Sequence, residues 1–459
     1  MSQALSNPAT SDNVDRAVRA ARAAGVSWAA MSIDDRAVCL TRFAQELRQH
    51  RDELREIICE ETGKPRWESA TEVDAMIGKI AISIESHRNR RPETVIKIAD
   101  GAGVTRYKPH GVVAVLGPFN FPGHLPNGHI APALLAGNAV LFKPSELTPR
   151  TGAKAIELWH RAGVGDDVIQ VVQGGKETGE ALIKHPDIDG VFFTGSFAAG
   201  RAINRALADH PGKIAALEMG GNNPLVVHEP RDLAAAAYST IQSAYLSAGQ
   251  RCSCARRLIV TGDAEPFVKT LVAMIAKIRV GLYTDVPEPF MGPVINAAAA
   301  QRLLAAQQDL IARGGKALIE IKSLRNHAAL LSPGLIDVTR VVSRDDAEHF
   351  GPLLQLIRVR DLDEAIAEAN RTAYGLAAGI LTDDRAAHAK FFANIRAGVV
   401  NWNRPLTGAS SALPFGGVGN SGNHRPSAAF AADYCDYAVA ALESETLAMP
   451  AKLVPGIEL

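Results

Sequence analysis

Over the first 90 residues the apolar positions keep helical spacing. Between Ser32 and Ile58, Leu40, Phe43, Leu47, Leu54, Ile57 and Ile58 line one stripe, with a turn missing at His50 and Arg51. Ser32 followed by Asp35 reads as an N-cap at the start of that run. From Thr94 to Tyr107 the pattern shortens to β-like pieces around Asp100-Gly101, a hairpin signal. Beyond Gly111, short continuous apolar runs alternate with helical stretches. GVVAVLG (Gly111–Gly117), AVLFKP (Ala139–Pro144), VIQVVQG (Val168–Gly174) and GVFFTG (Gly190–Gly195) predict strands buried on both faces, with helices near Ala153–Ala162 and Glu177–Lys184. A further α/β stretch follows. It has strands at Leu258–Val260, Leu353–Val359 and Ala397–Asn403, and helices at Glu265–Ile278, Asn296–Arg313 and Asp363–Asn370.

Composition adds bounds rather than detail. At about 150 residues per domain, 459 residues suggest two to three domains. Apolar residues make up 47% of the chain, enough for a sizeable core, and 49 Lys+Arg balance 49 Asp+Glu. That zero balance argues against nucleic acid as a partner. The longest apolar region, Ile130–Phe142, is broken by Pro132, Gly137 and Asn138 and falls short of the roughly 20 residues a membrane span needs. The first 18 residues show no basic start followed by an apolar stretch, so no secretory signal is expected. The 5 cysteines, Cys39, Cys59, Cys252, Cys254 and Cys435, are too scattered for a disulfide scaffold, and no metal site is expected from them. A reduced, cytoplasmic protein is the expectation.

Candidate chemistry sits where strands end. Cys252, in SAGQRCSC, follows a glycine turn and stands beside Arg251, a setting in which a thiol can be lowered and act as a nucleophile. A buried inert thiol is the commoner fate of such a residue. Glu218 leads into two glycines in LEMGGNNP, where a general base could approach a ligand, although a surface carboxylate before a turn fits equally. Asn120, between prolines in GPFNFPGHLP, could donate to an oxyanion or simply cap a loop. FTGSFAAG (Phe193–Gly200) ends a strand and opens a helix, as a phosphate site would, but it is not GxGxxG. In KPSE, Lys143 and Glu146 could hold a ribose or lie in a solvated loop.

Taken in order, GPFNFP, FKPSE, FTGS, LEMGGNNP, GQRC, EHFGP (Glu348–Pro352) and PFGG (Pro414–Gly417) resemble the aldehyde dehydrogenase superfamily. The resemblance covers nearly the whole chain. GPFNFPGHLPNGHIAPALLAGN, EMGGNNP, NWNRPLTGASSALPFGG and SGNHRPSAAFAADYC resemble a narrower branch, whose members oxidise a succinylated glutamate semialdehyde in arginine breakdown. The resemblance implies an α/β fold. Residues 1–91 and 112–220 would form a nucleotide-binding parallel-sheet domain, 221–420 an α/β catalytic domain, and 92–111 with 421–459 a small β oligomerisation element.

By the same resemblance Cys252 is the nucleophile, Glu218 the general base and Asn120 an oxyanion donor. Lys143, Ser145, Glu146, Gly195, Ser196, Glu348 and Phe350 would hold NAD, with Glu146 on the adenosine ribose favouring NAD over NADP. The partners implied are a small-molecule aldehyde and a second copy of the chain, as a homodimer or homotetramer. For the substrate's carboxylates, Arg251, Arg404, His424 and Arg425 are the sequence-near candidates. The chain departs from the family at His129 and Pro426, where many members have Lys and Glu, and at Phe119, where Trp is common. A proton relay through the first two positions is therefore not carried over. Three rivals remain: an aldehyde dehydrogenase for another small or aromatic aldehyde, an acyl-CoA-forming enzyme, and a non-catalytic chain that keeps the fold.

Overall fold

The computed structural model describes residues 9–99, 101–450 and 453–457. Four helices lead: α1 (Ser11–Ala30), α2 (Ile33–Gln49), α3 (Arg51–Thr62) and α4 (Arg66–Arg90). The Asp35 N–H donates to Ser32 Oγ at 3.1 Å, so the expected cap forms, and the missing turn at His50 is the break between α2 and α3. Strands β1 (Thr94–Ile98) and β2 (Gly101–Pro109) pair antiparallel. Asp100 of the expected turn lies outside the described residues, as do residues 1–8 of the N-terminal reading.

Next come β3 (Val112–Leu116), α5 (His124–Ala136), β4 (Ala139–Lys143), α6 (Pro149–Arg161), β5 (Ile169–Val171), α7 (Lys176–Lys184), β6 (Gly190–Gly195), α8 (Phe197–Leu207) and β7 (Ile214–Met219). Their strands form one parallel sheet in the order β5-β4-β3-β6-β7. Alternation explains why each strand reads as an unbroken apolar run. Val113, Val115, Phe142 and Phe192 face a core built with α2 to α6, where the Phe43 and Trp159 rings stack with centroids 3.6 Å apart. Val112, Ala114, Leu141 and Val191 face the opposite core, shared with α1, α7 and α8.

The chain continues through β8 (Asn223–Val227), α9 (Leu233–Tyr245), β9 (Ala255–Thr261), α10 (Glu265–Ile275), α11 (Ala297–Ala312), β10 (Lys316–Ile319), β11 (Gly334–Asp337), β12 (Leu353–Val359), α12 (Leu362–Ala369), β13 (Ala377–Leu381), α13 (Arg385–Asn394) and β14 (Val399–Trp402). These strands order as β10-β11-β12-β9-β8-β13-β14, parallel except where β10 meets β11. Two short strands, β15 (Pro414–Phe415) and β16 (Ser427–Ala428), then pair antiparallel, and β17 (Asp436–Glu443) adds to β2 in a three-stranded antiparallel sheet. Of the tail expected on that sheet, β17 pairs there. Residues 422–427 instead run beside β7, where Glu218 bridges Gly422, and 428–434 pack against α4 and α5.

Candidate active site

The order of the first sheet reverses direction between β3 and β6, the place where open parallel sheets receive ligands beyond their carboxyl ends. The turn after β3 carries Asn120, and it is held from below. Lys64 Nζ donates to the Asn120 carbonyl at 3.0 Å and pairs with the buried Glu72 carboxylate. Glu72 Oε1 in turn accepts from the Gly123 and His124 N–H groups at 2.8 and 3.1 Å, capping α5 with a negative charge.

Cys252 lies in the turn between α9 and β9. Just before it, Ser247, Ala248 and Gly249 take left-handed φ of 55°, 52° and 71°. Such a run is costly for the first two residues and needs outside support. Buried Arg256 provides it, donating to the carbonyls of Gly249 at 2.6 Å, Arg251 at 2.9 Å and Gly351 at 3.3 Å. Asn223 Nδ2 donates to the Cys252 and Cys254 carbonyls at 2.7 and 2.9 Å. Asn120 Nδ2 donates to the Gln250 carbonyl at 2.9 Å, tying the β3 turn to the cysteine turn and leaving its second amide hydrogen unspent. Asn120 and Cys252 line one cavity, whose wall also includes Phe121, His124, His129, Thr194, Ser410 and Phe415.

Glu218, at the carboxyl end of β7, is 4% exposed. Its Oε1 accepts from the Ser427 N–H at 3.2 Å, and its Oε2 is buried without a partner. Ser427 itself lines the cavity. Gly416 of PFGG packs on Glu218, where an added Cβ would come within 2.9 Å of Oε1. Burial raises the Glu218 carboxyl well above the ordinary range.

The expected lowering of the Cys252 thiol is corrected here. Burial, and after it the charges of Glu348 and Glu218, push the thiol up to about 12. Arg251 does not counter this because its guanidinium is committed elsewhere. It donates to Glu68 at 2.6 Å and to Ser247 Oγ at 2.9 Å, and it lies 4.9 Å over the Phe121 ring. His129 is also a neutral wall group. Its ring nitrogens meet Tyr434 Oη at 2.8 Å and Thr194 Oγ1 at 3.0 Å, and burial pushes it down to about 3.

Of the residues expected to hold a dinucleotide, Lys143, Ser145, Glu146, Gly195 and Ser196 lie at the carboxyl ends of β4 and β6, and Glu348 and Phe350 come from the segment before β12. Lys143, ending β4, donates to the Pro144 carbonyl at 3.0 Å and stands 3.8 Å from exposed Glu146. Ser145 accepts from the Leu147 N–H at 3.2 Å and shapes that turn. Gly195 ends β6, and Ser196 caps α8 by accepting from Ala199 N–H at 3.3 Å, which leaves a helix N-terminus open at the sheet's switch point. Glu348 accepts from the Gly221 N–H at 3.2 Å and closes against Gly220, where any Cβ would collide with its carboxylate. Phe350 meets Phe119 edge to face at 5.9 Å. Cationic donor, ribose acceptor and anion-ready helix end together suit a dinucleotide.

Of the residues expected to meet substrate carboxylates, the structure brings Arg251 to the cavity wall. Arg404, His424 and Arg425 are exposed and do not line it. The supports that sequence reasoning missed are Lys64, Glu72, Asn223 and Arg256. The signal for Arg256 is a charged pair, Arg256-Arg257, inside an otherwise apolar strand.

Residues 4–438 match the aldehyde dehydrogenase family. The chain is 56% identical over 455 residues to an N-succinylglutamate 5-semialdehyde dehydrogenase of Ectopseudomonas mendocina, covering 98% of this chain and 93% of that protein. Among solved structures, a putative methylmalonate-semialdehyde dehydrogenase from Sinorhizobium meliloti complexed with NAD superposes with a TM-score of 0.90 at 28% identity, covering 96% and 92% of the two chains. A glyceraldehyde-3-phosphate dehydrogenase from Methanocaldococcus jannaschii complexed with NADP gives 0.88 at 26% identity, with 95% of each chain covered.

Proposed function

Since the chain belongs to the aldehyde dehydrogenase family, we propose that it oxidises N-succinylglutamate 5-semialdehyde to N-succinylglutamate with NAD, as a step of arginine breakdown. The substrate rests on the near-full-length identity to a relative of that name. The chemistry rests on one observation: Cys252 and Asn120 share a cavity, with Glu218 held behind Ser427 at its edge.

A free aldehyde does not release hydride readily, so the carbon must first become tetrahedral. Cys252 Sγ loses its proton to water and adds to the carbonyl carbon as the thiolate, and the unspent Asn120 amide hydrogen and the Cys252 backbone N–H take the oxyanion. When bound, the dinucleotide supplies the hydride acceptor. Loss of hydride from the adduct leaves a thioester on Cys252. Glu218 then takes a proton from water as the water oxygen attacks that thioester and returns it to the departing sulfur, freeing the acid and the thiol. Lys143, Glu146, Ser196 and Glu348 are the residues that would hold the dinucleotide.

Asn120→Ala is expected to lower kcat about a hundredfold, while iodoacetamide still labels Cys252 at close to the wild-type rate. Slowed labelling would mean that the side chain merely shapes the turn. Exposed Glu146 can accept from a ribose 2′-hydroxyl but repels a 2′-phosphate, so kcat/KM should favour NAD over NADP. A preference for NADP would overturn that reading of Glu146. The substrate itself is tested with an aldehyde panel followed by NADH absorbance, in which N-succinylglutamate semialdehyde should exceed simple aliphatic aldehydes in kcat/KM.

A homodimer or homotetramer is in keeping with the three-stranded sheet, where Ile96 and Leu442 stand exposed on one face, both opposite Gly103. Among the described residues no helix is long and apolar enough to cross a membrane. A cytoplasmic setting agrees with cysteines that are all unpaired.

A further inference from the structure

Among the described residues, Lys79 is a buried cation with no anion beside it. It follows Met76 by one helical turn on the inner face of α4 and is 1% exposed. Its Nζ donates to the Ala428 carbonyl at 2.6 Å, its one hydrogen bond among the described residues, and no carboxylate stands within ion-pair distance of it there. An ammonium has three hydrogens to give, and stripping it of water without a partner costs several kcal/mol. Lys79 nevertheless lines the cavity that holds Cys252.

His124, on the same wall, adds a second unused group, because its Nδ1 is buried without a partner. The other cations nearby are already neutralised: Lys64 lies against Glu72, and Arg251 against Glu68. At the sulfur the sign reverses, since Glu348 and Glu218 both act on Cys252 there. The cavity, walled largely by apolar groups such as Phe121, Leu125 and Phe415, thus carries an unpaired ammonium on its α4–α5 side, with the two carboxyl groups behind the nucleophile.

We propose that Lys79 Nζ, with His124 beside it, binds a carboxylate of the aldehyde substrate and so selects carboxylated semialdehydes over uncharged aldehydes. This rests on the reading of the cavity as an aldehyde site, but not on which succinylated compound enters it. A carboxylate there gives the ammonium its missing counterion, and placing that end of the substrate at Lys79 points the other end toward Cys252. Arg251, the sequence-near candidate, is less suited because Glu68, Ser247 and Phe121 already hold it.

The test compares 4-oxobutanoate with butanal, which share a carbon count and differ by one carboxylate. In Lys79→Met, which keeps the side-chain length, KM for 4-oxobutanoate should rise roughly ten- to a hundredfold, as expected for loss of a charge-assisted bond. kcat should stay close to wild type, and kcat/KM for butanal should not change. An equal loss with both aldehydes would make Lys79 a packing residue, and no loss with either would remove it from the site; each result overturns the proposal.

A second measurement needs no variant. Butanoate should protect Cys252 of the wild-type protein from iodoacetamide, and butanamide should not; equal protection by both, or none, overturns the proposal. Failure of the substrate reading looks different. N-succinylglutamate semialdehyde would then be no better than 4-oxobutanoate, while the Lys79 dependence of 4-oxobutanoate oxidation persisted.

Discussion

Cys252→Ala should abolish NADH formation, lowering it by more than about a thousandfold to background. No other thiol can take over. Cys254, two residues on, is fully buried with its Sγ turned toward the Leu246 carbonyl at 3.8 Å, and it does not line the cavity. Cys39, Cys59 and Cys435 are buried elsewhere in the fold. Cys254→Ala should therefore keep most activity and serves as the control. Because burial and the neighbouring carboxylates push the Cys252 thiol up to about 12, its alkylation in the ligand-free protein should be slow near neutrality and quicken as pH rises. Substantial steady turnover by Cys252→Ala would remove the residue from the nucleophile's role.

The second large effect separates two halves of the reaction. Glu218→Gln should still release one NADH per site in a first burst, because hydride leaves before water attacks. Later turnovers should slow about a hundred- to a thousandfold, as loss of a general base predicts. The glutamine can still accept from the Ser427 N–H, so the wall keeps its shape while the partnerless Oε2 loses its basicity. Burial raises the Glu218 carboxyl, so its basic form appears only at a higher pH than for an ordinary glutamate. Steady-state kcat should accordingly climb with pH through that raised value in the wild type, and the climb should vanish in Glu218→Gln. Stopped-flow absorbance resolves the burst, and an equal loss of burst and steady rate would count against a purely hydrolytic role.

Sequence patterns carried much of the fold because its cues are local. The runs at Gly190–Gly195 and Leu353–Val359 coincide with β6 and β12, since strands covered on both faces read as near-continuous apolar runs, interrupted in β12 only by Gln355 and Arg358. The Ser32 cap and the His50 break were legible for the same reason, each depending on neighbours within one turn. The site was readable in its chemical residues but not in what holds them. Lys64 reaches Asn120, Arg256 reaches Gly351 and Asn120 reaches Gln250, and no local periodicity links positions so far apart. The same blindness applies to the substrate cations expected from the sequence. Arg404, His424 and Arg425 lie near the motifs in sequence yet project to solvent, while Lys79 arrives from a helix that looked purely structural. Its trace in the sequence was slight, a lysine one turn after Met76 on an inward-facing stripe.

Ser427 and Ala428 are adjacent in β16, and their backbone serves both ends of the chemistry: the N–H of one holds Glu218 and the carbonyl of the other holds Lys79. Eight residues after Ala428 the chain enters β17 and is zipped along the outer hairpin. The C-terminal arm is thus a tether for water activation and ligand choice together. Cutting it or prying it loose would silence the catalyst without altering a single reactive side chain.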